Sequence, residues 1–507
     1  MQRVFGIETE YGITIEGVDT MDVVAESIAL VRSYHPKERN HRWHYKHEDP
    51  HRDARGFRAA ELRECPDDAR FFEADRARNL SHEEIKSDLV LANGCRFYND
   101  HAHPEYSTPE CATLRDLVAQ DKAGEAIVAE CARRRNKSLK KGRVRLFKNN
   151  TDFAGHSYGC HENYLMPRSV PHEQIITGII PFLVTRQIFA GAGKWGIEAE
   201  GKLIDPAKFQ LSQRADFFSV LVSIDTMNRR PLFNTRDEPH ADPAKWRRLH
   251  VIVGDANMSE IATALKIGTT SLVLELIEHN ACGNLCELAQ PVEAFKAISR
   301  DPAHKWLVER SDGRKISAVD IQHLYLTKAI ERCKGRNAET DWLLAEWEAV
   351  LNDLTRDPRR CADRLDWAAK QFLLESFIES EKIDRDNPWL QSLDLEYHAV
   401  EHDESLFWPL VEQNAMRRLV TDEEIARAMR HPPQNTRAYF RGRCVEKFGS
   451  AVHGVHWSEL VFGSKTGDKT VSLGDLFDSD AVQRYNLAVE SAENADELIA
   501  NLEKTNS

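Results

Sequence analysis

Four short runs in this chain each place two polar side chains two residues apart within a strand-like pattern. They are Glu8/Glu10 in RVFGIETEYGI, Tyr98/Asp100 in CRFYNDHAHPEY, His161/Asn163 in SYGCHENYLM and Arg248/His250 in RRLHVIV. Side chains two apart on a strand share a face, so each pair must point to one side of a sheet. Set on neighbouring strands, the four pairs would gather carboxylates, imidazoles and a guanidinium on one concave surface. That set suits a divalent cation beside a phosphorylated ligand, and it points to an enzyme. Glu8 and Glu10 carry particular weight. Val4, Phe5, Ile7 and Ile13 around them read as buried, and buried acids are costly without a cation or a basic partner.

At 507 residues the chain can bury a large core and divide unequally. A large catalytic domain over 1–420 and a small C-terminal domain over 421–507 are expected. The net charge of −13 argues against a dedicated nucleic-acid binder. MQRVFGIETE lacks the basic-then-apolar pattern of a signal, and QIITGIIPFLVTRQIFAG is broken by Pro181, Arg186 and Gln187, so no membrane span is expected. The ten cysteines are scattered, with only Cys282 and Cys286 close together. Reduced thiols in the cytoplasm are expected, rather than a disulfide framework or zinc site.

The pattern predicts two strands over 2–15 with a turn at Tyr11-Gly12, then a helix over 20–34. From about 35 to 88 the chain is polar and proline-broken, which reads as a functional or disordered insertion. His35, His41, His44, His47 and His51 within it read as solvated rather than metal-binding. Asn93-Gly94 predicts a two-residue hairpin. Helices are expected over 113–134, 173–189 and most of 317–380, with Trp342, Trp347 and Trp367 in the core. Strands are expected near 143–149, 157–166, 217–224, 231–236 and 248–253. Ser259 and Thr421 read as helix N-caps, and a helix over 437–448 with strands near 457–462 and 470–473 completes the chain. Strands interleaved with helices and hairpins predict an α+β fold on an antiparallel sheet. Phosphate-loop motifs fail: GSKTGDKT (463–470) has Asp468 where a glycine–lysine pair is needed, and GAGK (191–194) follows a helix.

Tyr98, Asp100, His101, His103 and Glu105 form the densest chemistry in the chain. A carboxylate there could serve as ligand, general base or nucleophile, and spacing leaves all three open. His161-Glu162-Asn163 is not the HExxH of a metalloprotease, because Leu165 stands where the second histidine belongs. RRRNKSLKKGRVR (133–145), with eight Lys or Arg, reads either as a helix C-terminus or as a docking patch.

GIETEYGI, NGCRFYNDHAHPEYSTPE, KNNTDFAGHSYGCHENYLM, FQLSQRADF, NTRDEPHAD, RRLHVIVGDAN and NTRAYFRG occur in order between Met1 and about Phe462. Together they resemble the family of Pup deamidase/depupylase and Pup–protein ligase. The resemblance implies a glutamine-synthetase-like α+β fold, with a curved antiparallel sheet packed with helices plus a small C-terminal domain. It implies Asp100 as the catalytic aspartate, with Glu8, Glu10, Tyr98, Glu105, His161 and His250 around Mg2+. Ser107, Thr108, Asn163, Arg248 and Trp457 would contact ATP, or ADP plus phosphate. The implied partners are Pup, a small disordered acidic modifier, and pupylated proteins, with no nucleic acid and no membrane.

The insertion at 35–88 and DHAHPEYS point to the deamidase/depupylase branch, whereas GIETE and NNTDFAGHSYGCHENYL read closer to the ligase. The implied reaction hydrolyses an amide at the last side chain of Pup, converting Gln to Glu or cleaving the isopeptide bond to a lysine. ATP would be needed but not consumed stoichiometrically. The alternatives are a Pup–protein ligase on the same surface, a small-molecule glutamate–amine ligase, and a silent Pup-binding module. Because Pup is acidic, a basic groove is expected, with Arg133 to Arg145, Arg437 and Arg441 as candidates.

Overall fold

The first strand of the chain lies near the middle of a six-stranded sheet in the computed structural model. The structure describes residues 3–18, 21–34, 43–62, 78–199, 201–283, 285–463 and 467–505. Strand β1 (Phe5–Glu10) turns at Tyr11 into β2 (Gly12–Glu16), and β3 (Leu89–Val90), β4 (Arg96–Asp100), β5 (His103–Ser107), β6 (Arg143–Phe147) and β7 (Cys160–Pro167) follow. β8 (Lys194–Ala199) and β9 (Lys202–Gln210) form a hairpin, and β10 (Phe218–Ser223) pairs with β11 (Arg230–Asn234). β12 (Trp246–Val251) returns to the main sheet, whose order is β12-β7-β1-β5-β4-β3 with every neighbouring pair antiparallel.

Alternation fixes which face is buried. Phe5, Ile7 and Thr9 of β1 and Cys160, Glu162, Tyr164 and Met166 of β7 point to the core. Beneath them lie the helices Leu114–Ser138, His172–Thr185 and Glu260–Glu278. Thr113 and Ser259 cap two of these helices by accepting from Asp116 N and Ala262 N. Each fully buried large apolar side chain here contributes about 1.5–3 kcal/mol. The expected helix over 173–189 ends at Thr185 and resumes as Gln187–Ala190. Between the two, Arg186 turns inward, and its guanidinium meets Glu162 at 2.5 and 2.8 Å. The ion pair offsets the burial of an acid on the apolar face.

Several expectations need correction. Asn93-Gly94 does not make a two-residue hairpin: Val90 pairs with Arg96, and residues 91–95 connect the strands. The Asn93 side chain is instead buried, donating to Tyr106 Oη and to the Ala428 carbonyl. The β8–β9 hairpin was not foreseen, nor were the closing helices Ser479–Ser491 and Ala495–Thr505. Trp347 and Trp367 are core residues as expected, while Trp342 is only partly buried.

After the helical region and the short β13–β14 pair (Leu307–Glu309, Lys315–Ser317), the chain closes on β15 (Val452–His456), β16 (Glu459–Phe462) and β17 (Lys469–Ser472). With the helices Arg437–Phe448, Ser479–Ser491 and Ala495–Thr505, these strands enclose an apolar cluster separate from that under the main sheet. Trp43 and Val90 join this cluster from earlier in the chain. No disulfide joins the nine described cysteines, and no helix among the described residues is long and apolar enough to cross a membrane.

Candidate active site

The face of the main sheet opposite the helices carries all four polar pairs. Across β7, β1, β5 and β4, the register aligns His161, Glu8, Ser107 and Arg96 in one row. The next row holds Glu10, Glu105 and Tyr98, and Asp100 faces His103 at the hairpin end. On the other flank, β12 sets His250 opposite Asn163. Gly159 makes room for this arrangement, because a Cβ there would come within 2.4 Å of His161 Nε2 and 2.8 Å of Glu10 Oε1.

The side chains converge into two groups of three, Glu8/His161/His250 and Glu10/Asp100/Glu105, each with ligand atoms within 4.8 Å of one another. His161 Nδ1 and His250 Nε2 lie 3.4 and 3.6 Å from Glu8 Oε2. Burial works against charge on Glu8, but the two imidazoles and the Arg248 guanidinium hold its carboxyl well below the usual range. In the second group, burial and then the charges of Asp100, Glu8 and Glu10 push the Glu105 carboxyl well above its usual range. Four facing carboxylates and a buried His250 Nε2 with no hydrogen-bond partner are what a bound cation would satisfy. The donor set therefore fits divalent metal. The Tyr98 hydroxyl donates to Glu105 Oε1 at 2.7 Å, so in this arrangement it orients a carboxylate.

Asp100 ends β4 just before a turn at His101, which holds φ near +53°. Burial opposes ionisation of Asp100, yet Lys86 and His101 hold its carboxyl well below the usual range. Lys86 pairs directly with it and closes a short helix, His82–Lys86, capped by Ser81. Sequence reasoning missed Lys86, since nothing in its spacing links it to Asp100. Arg96 was also missed, although parity with Tyr98 and Asp100 would have found it. Its guanidinium lies 3.9 Å over the Tyr98 ring and 4.1 Å over Trp43, and pairs with Asp88 at 2.7 Å.

A pocket opens beside the first triad. Glu8, Ser107, Thr108, Asn163, Arg248 and Trp457 all line it, together with Glu110, His240, Arg437 and Phe477. Asn163 donates to Glu8 Oε1 at 3.0 Å and accepts from Arg248 at 2.7 Å, which links the pocket to the triad. Ser107 donates to Glu105 Oε1 at 3.1 Å, and Thr108 Oγ1 accepts from the Ile7 amide at 3.0 Å.

The basic residues expected to meet an acidic partner divide into a buried pair and an exposed run. Arg437 and Arg441 are buried, both paired with Glu110, and Arg441 lies 4.7 Å over the Trp457 ring. In the run 133–145, Arg133 and Arg134 pair with Glu130, Arg135 with Glu26, and Arg143 and Arg145 with Glu404. Lys137, Lys140 and Lys141 of the same run are exposed, so it keeps a cationic surface. Two histidines of the insertion, His44 and His47, bind Glu459 instead of standing free in solvent. His35 and His41 lie outside the described residues, as do 35–42 and 63–77 of the insertion.

An antiparallel sheet bearing two cation-ready triads beside a pocket defines an enzyme of the α+β class. Residues 3–461 match the family described as Pup-ligase protein, and the chain belongs to that family. It is 46% identical over 475 residues to the depupylase of Acidothermus cellulolyticus, covering 91% of each chain. It is 42% identical over 483 residues to the Pup deamidase/depupylase of Mycolicibacterium smegmatis, covering 94% of each. To the Pup–protein ligase of Pseudarthrobacter chlorophenolicus it is 38% identical over 455 residues, 88% of this chain and 89% of the relative. Among solved structures it is similar to the Pup ligase PafA in complex with Pup, with a TM-score of 0.75 and 30% identity over 99% of this chain and 94% of that one. It is also similar to PafA in complex with ADP, with a TM-score of 0.72 and 34% identity over 86% of this chain and 95% of that one.

Proposed function

We propose that this protein is a Pup deamidase/depupylase that hydrolyses the amide at the last side chain of Pup, releasing ammonia from glutamine or a lysine from a pupylated protein. The observation that carries this reading is Asp100 beside Glu10 and Glu105 on a sheet face adjoining a pocket lined by Ser107, Thr108, Asn163, Arg248 and Trp457. The relatives named for depupylation or deamidation match at 41–46% over 91–94% of this chain, against 36–41% over 70–88% for those named ligases.

Bound Mg2+, held by the Glu8/His161/His250 and Glu10/Asp100/Glu105 groups, would neutralise nucleotide phosphates and polarise the amide carbonyl. Asp100, kept ionised by Lys86 and His101, attacks the γ-carbonyl carbon. The C–N bond breaks, the amine leaves with a proton from water, and a second water opens the resulting anhydride to restore Asp100. Glu105, whose carboxyl is raised by burial and by the facing acids, would be held ionised by the cation it helps to bind. Arg248, Asn163, Ser107, Thr108 and Trp457 hold ATP, or ADP plus phosphate, in the pocket. The same reading takes the sheet as glutamine-synthetase-like and the protein as cytoplasmic. It also takes the C-terminal cluster, beginning near Thr421, as a small domain.

The test supplies purified protein, Mg2+ and ATP with either Pup ending in glutamine or a pupylated substrate. Deamidation or lysine release without matching ADP formation is expected. ATP-dependent attachment of glutamate-ended Pup to proteins would establish the ligase instead.

A further inference from the structure

His250 of β12 is the buried imidazole of the first triad, and its two ring nitrogens face different neighbours. Nε2 lies 3.6 Å from Glu8 Oε2 and has no hydrogen-bond partner. Nδ1 lies 3.3 Å from Oδ1 of Asn234, the last residue of β11. Asn234 is itself buried and is a member of neither triad.

The side-chain amide of Asn234 can sit only one way round. Its Nδ2 donates to the carbonyls of Ser223, Ile224 and Asp225 at 3.4, 3.1 and 3.2 Å. Its Oδ1 accepts from the Arg236 backbone N–H at 3.1 Å, closing a local turn of the kind asparagine favours. Turning the amide over would set oxygen against three carbonyl oxygens and NH2 against an N–H. The atom facing His250 is therefore an oxygen with one lone pair still free. A neutral imidazole carries a single N–H. An acceptor beside Nδ1 draws the proton there and leaves the Nε2 lone pair directed at the triad.

We infer that Asn234 is a positioning residue for the metal centre. By accepting from His250 Nδ1–H it fixes the tautomer and ring plane that present Nε2 to a divalent cation shared with Glu8 and His161. A second contact of this kind orients a metal-binding histidine and raises its basicity. The carbonyls that hold Asn234 come from the end of β10 and the turn after it. A two-stranded unit outside the six-stranded sheet thus reaches the centre through this side chain. The inference rests on the cation role given above to Glu8, His161 and His250.

The test titrates metal-stripped full-length protein with Mn2+ and reads the free ion by electron paramagnetic resonance. The site lost in His250→Gln is the one concerned. Asn234→Leu should weaken that site about 10–100-fold and leave the Glu10/Asp100/Glu105 site near the wild type. Asn234→Asp, whose carboxylate still accepts from Nδ1–H, should bind as tightly as the wild type or more so. Both variants lose the donation to residues 223–225, so a purely structural role would weaken both alike, and that result overturns the inference. So does wild-type affinity in Asn234→Leu. A second reading needs no change at position 234. In nitrogen NMR of the metal-free wild type, the His250 ring, assigned from its loss in His250→Gln, should carry its proton on Nδ1. A proton on Nε2 overturns the inference even where the variants fail to fold. Absence of Mn2+ uptake by the wild type would overturn the cation role as well, whereas uptake insensitive to position 234 overturns this inference alone.

Discussion

Lys86 and Asp100 form an ion pair that ties the last turn of the insertion to the end of β4. Burial alone would raise the Asp100 pKa, and Lys86 is the foremost influence holding it down. Lys86→Met should therefore shift the acid limb of kcat/KM to higher pH while leaving nucleotide affinity near that of the wild type. Asp100→Asn should abolish turnover and spare nucleotide binding measured by calorimetry. Full activity in Asp100→Asn would remove the residue from its role.

Trp457 lines the pocket at the edge of the hairpin, and Arg441 backs its ring. Trp457→Ala should weaken nucleotide binding by about 1–1.5 kcal/mol, roughly tenfold. At saturating nucleotide kcat should be kept. An unchanged nucleotide dissociation constant would mean that the base lies elsewhere.

Glu110 neutralises two buried arginines, and they in turn hold its carboxyl down to about 2. Glu110→Gln leaves both guanidinium groups uncompensated and should destabilise the protein by about 3–5 kcal/mol in urea titrations. The folded pKa is depressed, so this contribution is present above the unfolded value near 4.5 and is lost as pH falls toward 2. A variant as stable as the wild type at pH 7 would contradict the account.

Glu401 runs the other way. Burial outweighs the backbone amides near its carboxylate and raises the pKa from 4.5 to about 7. Folding therefore favours the protonated acid, and its contribution is complete below about 4.5 and lost as pH rises through about 7. The difference is on the order of 2–3 kcal/mol. Denaturation midpoints of Glu401→Gln, compared with the wild type across pH 5–8, should lack this decline.

Much of the sheet was legible because strand periodicity is local. Glu8/Glu10, Tyr98/Asp100, His161/Asn163 and Arg248/His250 could each be assigned to one face from spacing alone, and the register brings those faces together. What escaped depends on tertiary contact. Asn93 looks like a turn residue, but its amide is needed by Tyr106 Oη and the Ala428 carbonyl. Arg437 and Arg441 look like a basic patch, but Glu110 claims both from far along the chain. Lys86 reaches Asp100 because its helix folds back over β4, a packing event that no periodicity records.

β1 supplies Glu8 to one triad and Glu10 to the other. Among the partners it awaits is Asn163, 155 residues downstream of Glu8, and β12 comes later still. On the ribosome the first strand therefore emerges long before the strands that complete its neighbours. Glu10 can meet Asp100 and Glu105 as soon as β5 has emerged, whereas Glu8 must wait for His161 and, last of all, His250. A truncated nascent chain that stops before β12 should have no partly working version of this chemistry.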